Sequence, residues 1–204
     1  MTIGLVFFSI GIVLTIKANI GLAPWDVFHE GLSKKLGISL GIASIAVGLV
    51  ILLALILLKE KFGIGSLSNM ILIGVFVDIL LFLDFIPIPE NFIIGILVLI
   101  AGLFSVALGS YYYIKSGFGV GPRDNLMVVL TRATRIPVGI CRSIVELIVF
   151  AGGYFLGGTV GIGSIISVVG IGLCVQIVFR IFRFDIAAVK HESLKDTILS
   201  LRKA

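Results

Sequence analysis

Long apolar stretches separated by short polar breaks organise this chain, and the breaks carry most of its information. The stretches fall at Thr2–Ile16, Leu40–Leu58, Gly65–Phe85, Phe92–Ile114, Val138–Leu156 and Val160–Phe182. A spanning helix needs about 20 mostly apolar residues, so every stretch but the first is long enough to cross a bilayer. Residues 2–16 reach only about 22 Å at the helical rise, against a hydrocarbon core of roughly 30 Å. No basic flank precedes them and no small-residue cleavage site follows, so they make a poor signal peptide. They read as a start cut short.

Two of the breaks share one design. Gly21-Leu-Ala-Pro-Trp-Asp26 leads into residues 27–35, and Gly119-Val-Gly-Pro-Arg-Asp124 leads into residues 125–135. Proline suits the first position of a helix, where its missing N–H would have no partner anyway. A carboxylate in the first turn favours the positive end of the helix dipole. Pro24 with Asp26, and Pro122 with Asp124, therefore predict short helices of about 12 residues, each with basic residues at its far end. At roughly 18 Å they are too short to cross, and they are expected to be re-entrant or interfacial half-helices.

The chain also resembles itself at an offset of 98 residues. Gly4/Gly102, Gly11/Gly109, Lys17/Lys115, Gly21/Gly119, Pro24/Pro122, Asp26/Asp124, Gly41/Gly139, Gly63/Gly161, Gly65/Gly163, Ser66/Ser164 and Gly74/Gly172 coincide without a gap. These matches include the punctuation and not only Leu and Ile, so the sequence reads as a tandem duplication. Each copy is span, break, half-helix, span, span. Three crossings per copy make the copies inverted, and the basic residues favour that count. With both termini cytoplasmic, thirteen of the sixteen Lys and Arg fall inside and only Lys17, Lys34 and Lys35 outside, as the positive-inside rule expects. The expected architecture is an all-α polytopic membrane bundle of about six spanning helices plus two half-helices, in two inverted-topology repeats. Residues 1–183 form one transmembrane domain, with repeat 1 at about 1–84 and repeat 2 at about 91–183. Residues 184–204 form a cytoplasmic amphipathic tail, with Leu194, Ile198 and Leu201 on one face.

Composition sharpens the class. With 59% apolar residues, 13% charged residues and a mean hydropathy of +1.24, the chain has too little interior to hide its apolar side chains from water, so lipid is its main solvent. A net charge of +5 is spread between spans and in the tail, which speaks against a nucleic-acid partner. Cys141 and Cys174 lie in apolar runs and read as small core residues. No nucleophile–base pair or metal-spaced cluster is present, so neither an enzyme nor a metal or cofactor site is expected.

Ionisable residues in lipid-embedded sequence cost roughly 2.5–3.5 kcal/mol each and need partners or a wet cavity. Asp26 and Asp124 either cap their half-helices or, with Pro24 and Pro122, build a substrate or ion site where broken helices meet near the midplane. Asp78 lies well into the third span and aligns with Gln176, an asymmetry that suits a single proton or cation site. Glu146 follows Arg142 by four residues, so the two can pair on one helix face, either structurally or at a site. Lys17 and Lys115 either snorkel or pair with Asp26 and Asp124. His29 reads as an interfacial polar residue. Trp25 either joins the aromatic belt with Tyr111-Tyr112-Tyr113 or lines a pocket. Gly153 and Gly157 form a GxxxG packing motif inside the fifth span. Gly63-Ile-Gly65 and Gly161-Ile-Gly163 read as helix starts or close-packing sites.

Taken together, the two Pro-(Trp/Arg)-Asp breaks, Gly31-Leu32-Ser33, the Gly63…Asn69…Gly74…Asp78 run, Arg142…Glu146 and Gly157-Gly-Thr-Val-Gly-Ile-Gly163 resemble the YczE/YyaS/YitT family of bacterial integral membrane proteins. The resemblance runs to about Gln176. It implies a multi-pass protein of the bacterial plasma membrane and carries no substrate or reaction with it.

Two functions from different classes follow. The first is a secondary transporter or permease for a small solute, proton-coupled through Asp78 or Glu146, with a cationic or zwitterionic solute favoured by the aspartates. The second is a non-transporting scaffold, sensor or accessory subunit, including a substrate-binding subunit of a larger uptake complex. The expected partners are membrane lipid and the solute, and the sequence leaves a homo-oligomer open.

Overall fold

A computed structural model of the chain describes residues 1–58, 60, 63–186 and 189. It contains eight helices among those residues: α1 (Thr2–Lys17), α2 (Pro24–Leu36), α3 (Leu40–Leu57), α4 (Ile64–Leu83), α5 (Phe92–Lys115), α6 (Pro122–Thr134), α7 (Val138–Phe155) and α8 (Ile162–Ile181). Helices α3, α4, α5, α7 and α8 are long and apolar enough to cross a membrane. At 16 residues, α1 reaches about 24 Å and remains the short one. The protein is a polytopic helical membrane bundle.

Local chemistry sets the helix ends where the sequence places them. Pro24 and Pro122 occupy the first turns of α2 and α6. The Ser39 hydroxyl accepts from the Ile42 N–H at 3.1 Å to start α3, and the Asn91 side chain accepts from the Ile93 N–H at 2.8 Å to start α5. The Gly63 and Gly161 N–H groups donate to Ser66 and Ser164, at 3.3 and 3.2 Å, so both Gly-Ile-Gly runs are helix starts. At the far ends of the half-helices, Gly37 and Arg135 take the left-handed conformation at φ +66° and +59° and close the last turn.

The packing of α1 on α5 is set by glycine. Gly4 lies against Gly109 and Tyr113, and Gly11 against Gly102 and Val106, so the two helices run antiparallel. A Cβ on Gly4 would stand 2.6 Å from the Tyr113 amide nitrogen, and one on Gly11 2.6 Å from that of Val106. The backbones touch, and only glycine permits it. Gly153 plays a similar part, facing the backbone of Phe28 in α2, but Gly157 does not join it. Gly157 lies past the end of α7 at φ +86° with nothing within 4 Å, so the expected GxxxG motif is no spanning-helix packing face.

Contacts recur at the 98-residue offset. The Gly65 N–H donates to Phe118 O and the Gly163 N–H to Ile20 O, both at 2.7 Å. The Gly41 N–H donates to Asp78 at 2.9 Å and the Gly139 N–H to Gln176 at 3.0 Å. One end of the bundle gathers Lys17 paired with Asp84, and Lys34 bonded to Glu30 and Thr159, each at 3.0 Å. The other gathers Arg132 at 4.0 Å from Glu60, and Lys115 donating to the Tyr111 hydroxyl at 2.8 Å. Neither Lys17 nor Lys115 therefore pairs with the half-helix aspartates. Cys141 and Cys174 are free and buried. Of the expected tail at 184–204, only residues 184–186 and 189 are described, and the amphipathic stretch with Leu194, Ile198 and Leu201 lies outside the described residues.

Candidate functional site

Both half-helices begin inside the bundle and end at its surface. Pro24, Trp25, Asp26 and Val27 are buried while Lys34, Lys35 and Leu36 are exposed, and α6 repeats the pattern from Pro122–Asn125 to Arg132–Thr134. The two buried starts face each other through unlike residues at corresponding positions. The Arg123 guanidinium carbon lies 5.5 Å from the centre of the Trp25 ring, a cation–π distance, while its Nη2 donates to the Ser44 hydroxyl at 2.8 Å.

Around this meeting point the ionisable groups are linked. Tyr113 Oη donates to one Asp124 oxygen and Arg142 Nη1 to the other. Arg142 Nε lies 2.7 Å from Glu146 Oε1, an ion pair without an aligned hydrogen bond. Asp26 has His29 Nδ1 at 3.8 Å, and the His29 ring stacks on Trp25 at 6.0 Å between centres. Asp26, Asp124, Glu146, Arg123 and Arg142 are all between 2% and 9% exposed. They stand around or directly behind a cavity of about 40 Å³ that Thr15, Pro24, Trp25, Asp26, Arg123, Arg142 and Glu146 line together with apolar residues of α1, α5 and α8. That is room for about three water molecules.

The charge balance decides what such a cavity can do. Three carboxylates face two guanidiniums, and removing a single partner from a buried pair costs about 3–5 kcal/mol. Asp124 and Glu146 share Arg142, whereas among the described residues Asp26 has no Lys or Arg within 4 Å. The cluster therefore holds one carboxylate more than it has guanidiniums, a place for one proton or one cation. Trp25 Nε1 and His29 Nε2 are buried without a hydrogen-bond partner among the described residues, which leaves the site with polar capacity to spare.

The structure thus brings together Pro24, Trp25, Asp26, Asp124, Arg142 and Glu146, with Pro122 in the same first turn as Asp124 but off the cavity wall, and sets two sequence candidates apart. Asp78 accepts from the Gly41 N–H and, at 2.6 Å, from the Ser39 hydroxyl. Gln176 does the same for Gly139. Both hold the start of the preceding spanning helix, and neither lines the central cavity. Sequence reasoning missed three contributors, Tyr113, His29 and Arg123. Tyr113 is wholly buried on Asp124 rather than in an aromatic belt, and His29 is buried rather than interfacial. Arg123, and with it the candidate Arg142, was counted among the inward loop charges but lies in the buried cluster, so neither contributes to a basic bias between the two ends. The signal for Arg123 was its place 98 residues after Trp25 in the first turn of a half-helix.

Comparison with known proteins places the chain. The family of unknown function DUF6198 matches residues 1–180. The chain belongs to that family. It is 35% identical over 176 residues to the uncharacterized membrane protein YczE of Bacillus subtilis, covering 85% of this chain and 80% of that one. An uncharacterized protein of Haemophilus influenzae is 28% identical over 185 residues, covering 88% and 84%. The uncharacterized protein YyaS of Bacillus subtilis is 27% identical over 168 residues, covering 81% and 84%. The likeness to the YczE/YyaS membrane proteins expected from the motifs therefore holds over most of the chain. No solved structure matches it.

Proposed function

We propose that this DUF6198 protein is a secondary transporter of a small solute in the bacterial plasma membrane, built as two inverted repeats with both termini cytoplasmic. The observation that carries the reading is the cluster of five buried ionisable groups around a cavity between the starts of two half-helices. A scaffold has no need to bury an unbalanced carboxylate at several kcal/mol, whereas a carrier uses one to bind and release a cation. Broken helices meeting across a repeat axis are a recurrent way to build such a site, and the paired contacts at the 98-residue offset support the repeat. Glu146, bound to Arg142 at the cavity wall, takes the coupling role in place of Asp78.

Reconstituted vesicles test the proposal. Asp26→Asn and Glu146→Gln should abolish proton-dependent solute uptake, while deletion of residues 187–204 leaves it intact. Uptake that survives both substitutions, or that disappears with the tail alone, removes the transport reading in favour of an accessory protein acting through its tail.

A further inference from the structure

One side chain is shared by the cavity at the charge cluster and a groove on the flank of the bundle. Trp25 lines the central cavity and also lines an apolar groove of about 420 Å³ between α2, α3, α6 and α7. The groove lies where the two halves of the chain meet, since Phe28 and Leu126 stand 98 residues apart, as do Ile51 and Val149, and all four line it. Its other walls come from apolar residues of α3, among them Val47 and Val50, the latter 66% exposed. The unpartnered Trp25 N–H belongs to the residue that the cavity and the groove share.

We propose that the ligand is a cationic amphiphile, with its alkyl chain in the groove and a small ammonium head that reaches the carboxylates when Trp25 turns aside. Charge complementarity selects this occupant. A neutral chain fills the groove and leaves the surplus carboxylate unmatched, and an anionic head adds a like charge to it. A head larger than a few heavy atoms exceeds the space of about 40 Å³ behind Trp25. The binding site stands without transport; only its description as a substrate site rests on the reading above.

Trp25 is the only tryptophan in the chain, so its fluorescence reports on the shared wall directly. The full-length protein in phosphatidylcholine vesicles is titrated with decylammonium, decanol, decyl sulfate and methylammonium. The expected result is a saturable change in Trp25 emission with decylammonium, at an affinity at least about tenfold above the other three. Asp26→Asn or Glu146→Gln should erase the preference for the ammonium head. Val47→Phe, which narrows the groove without touching the cluster, should weaken decylammonium and leave the methylammonium response unchanged. Equal responses to the three decyl compounds, or methylammonium matching decylammonium, overturn the proposal. Selective binding with no flux of any solute would retain this site and end the transport reading; proton-coupled uptake without the selectivity would do the reverse.

Discussion

Asp124 and Glu146 share one arginine. Arg142 donates through Nη1 to Asp124 and lies 2.7 Å from Glu146 through Nε, so a single guanidinium from α7 holds the second half-helix to the wall of the cavity. Its counterpart position in the first half is Ser44, which binds Arg123 instead. The two halves thus make matching backbone contacts at the 98-residue offset but hold different buried charges.

Removing the shared arginine should therefore be more damaging than removing either carboxylate. Arg142→Met leaves two buried carboxylates without their partner, and a loss of about 3–5 kcal/mol is expected. Glu146→Gln should cost less, because Arg142 retains Asp124. Thermal unfolding in detergent, followed by the far-ultraviolet circular dichroism of the helices, checks the order. Equal losses would mean that the two pairs do not share Arg142.

The α1–α5 contact makes a steric prediction. Gly11→Leu drives a side chain into the Val106 backbone, so a loss of about 1–3 kcal/mol or more is expected from overpacking. Gly157→Asn places a residue tolerant of positive φ where nothing lies within 4 Å, and its cost should be within about 0.5 kcal/mol. Unfolding midpoints of the two variants measure the contrast. A harmless Gly11→Leu would contradict the backbone contact.

Asp78 should tolerate loss of its charge. The amide of Gln176 performs the same task in the other half, accepting from Gly139 as Asp78 accepts from Gly41. Asp78→Asn is expected to stay within about 0.5 kcal/mol of the parent and to leave transport unchanged, whereas Asp78→Ala loses an acceptor at a helix start and should cost about 1 kcal/mol. Loss of proton coupling in Asp78→Asn would return this residue to the site.

Much of this arrangement is legible in the sequence, and the exceptions share a cause. Pro24, Pro122 and their aspartates mark the half-helix starts because proline and dipole chemistry act within one turn. Arg142 and Glu146 announce their pairing through the helical repeat. The pairing of Asp124 with Arg142 and Tyr113 joins three helices, and no local spacing encodes it. Arg123 looks like a loop charge because Gly119-Val-Gly-Pro precedes it, yet the break lies inside the bundle. Asp78 looks buried by its distance from the start of α4, but the neighbouring helix begins beside it and offers an N–H. His29 was readable, three residues after Asp26 on the same face, had the half-helix been taken as buried.

The proposed orientation is open to chemical labelling. The turn between α4 and α5 lacks Lys and Arg, so Glu90→Cys should react with a membrane-impermeant maleimide added to intact cells, while Arg135→Cys should react only after permeabilisation. Cys141 and Cys174 are buried, at 0% and 6% exposure, and should stay silent. The reverse pattern would invert the protein in the membrane.

The most direct test asks whether the cluster is a passage or a sealed core. Thr15 lines the cavity and is 1% exposed, so Thr15→Cys, made with Cys141→Ser and Cys174→Ser, places a small thiol at the charge cluster. A small cationic methanethiosulfonate reagent is then added to either face of reconstituted vesicles. Reaction from both faces, slowed by Glu146→Gln, is the expected result for a site exposed to each side in turn. No reaction from either face, while Glu90→Cys in the same preparation reacts, would contradict it.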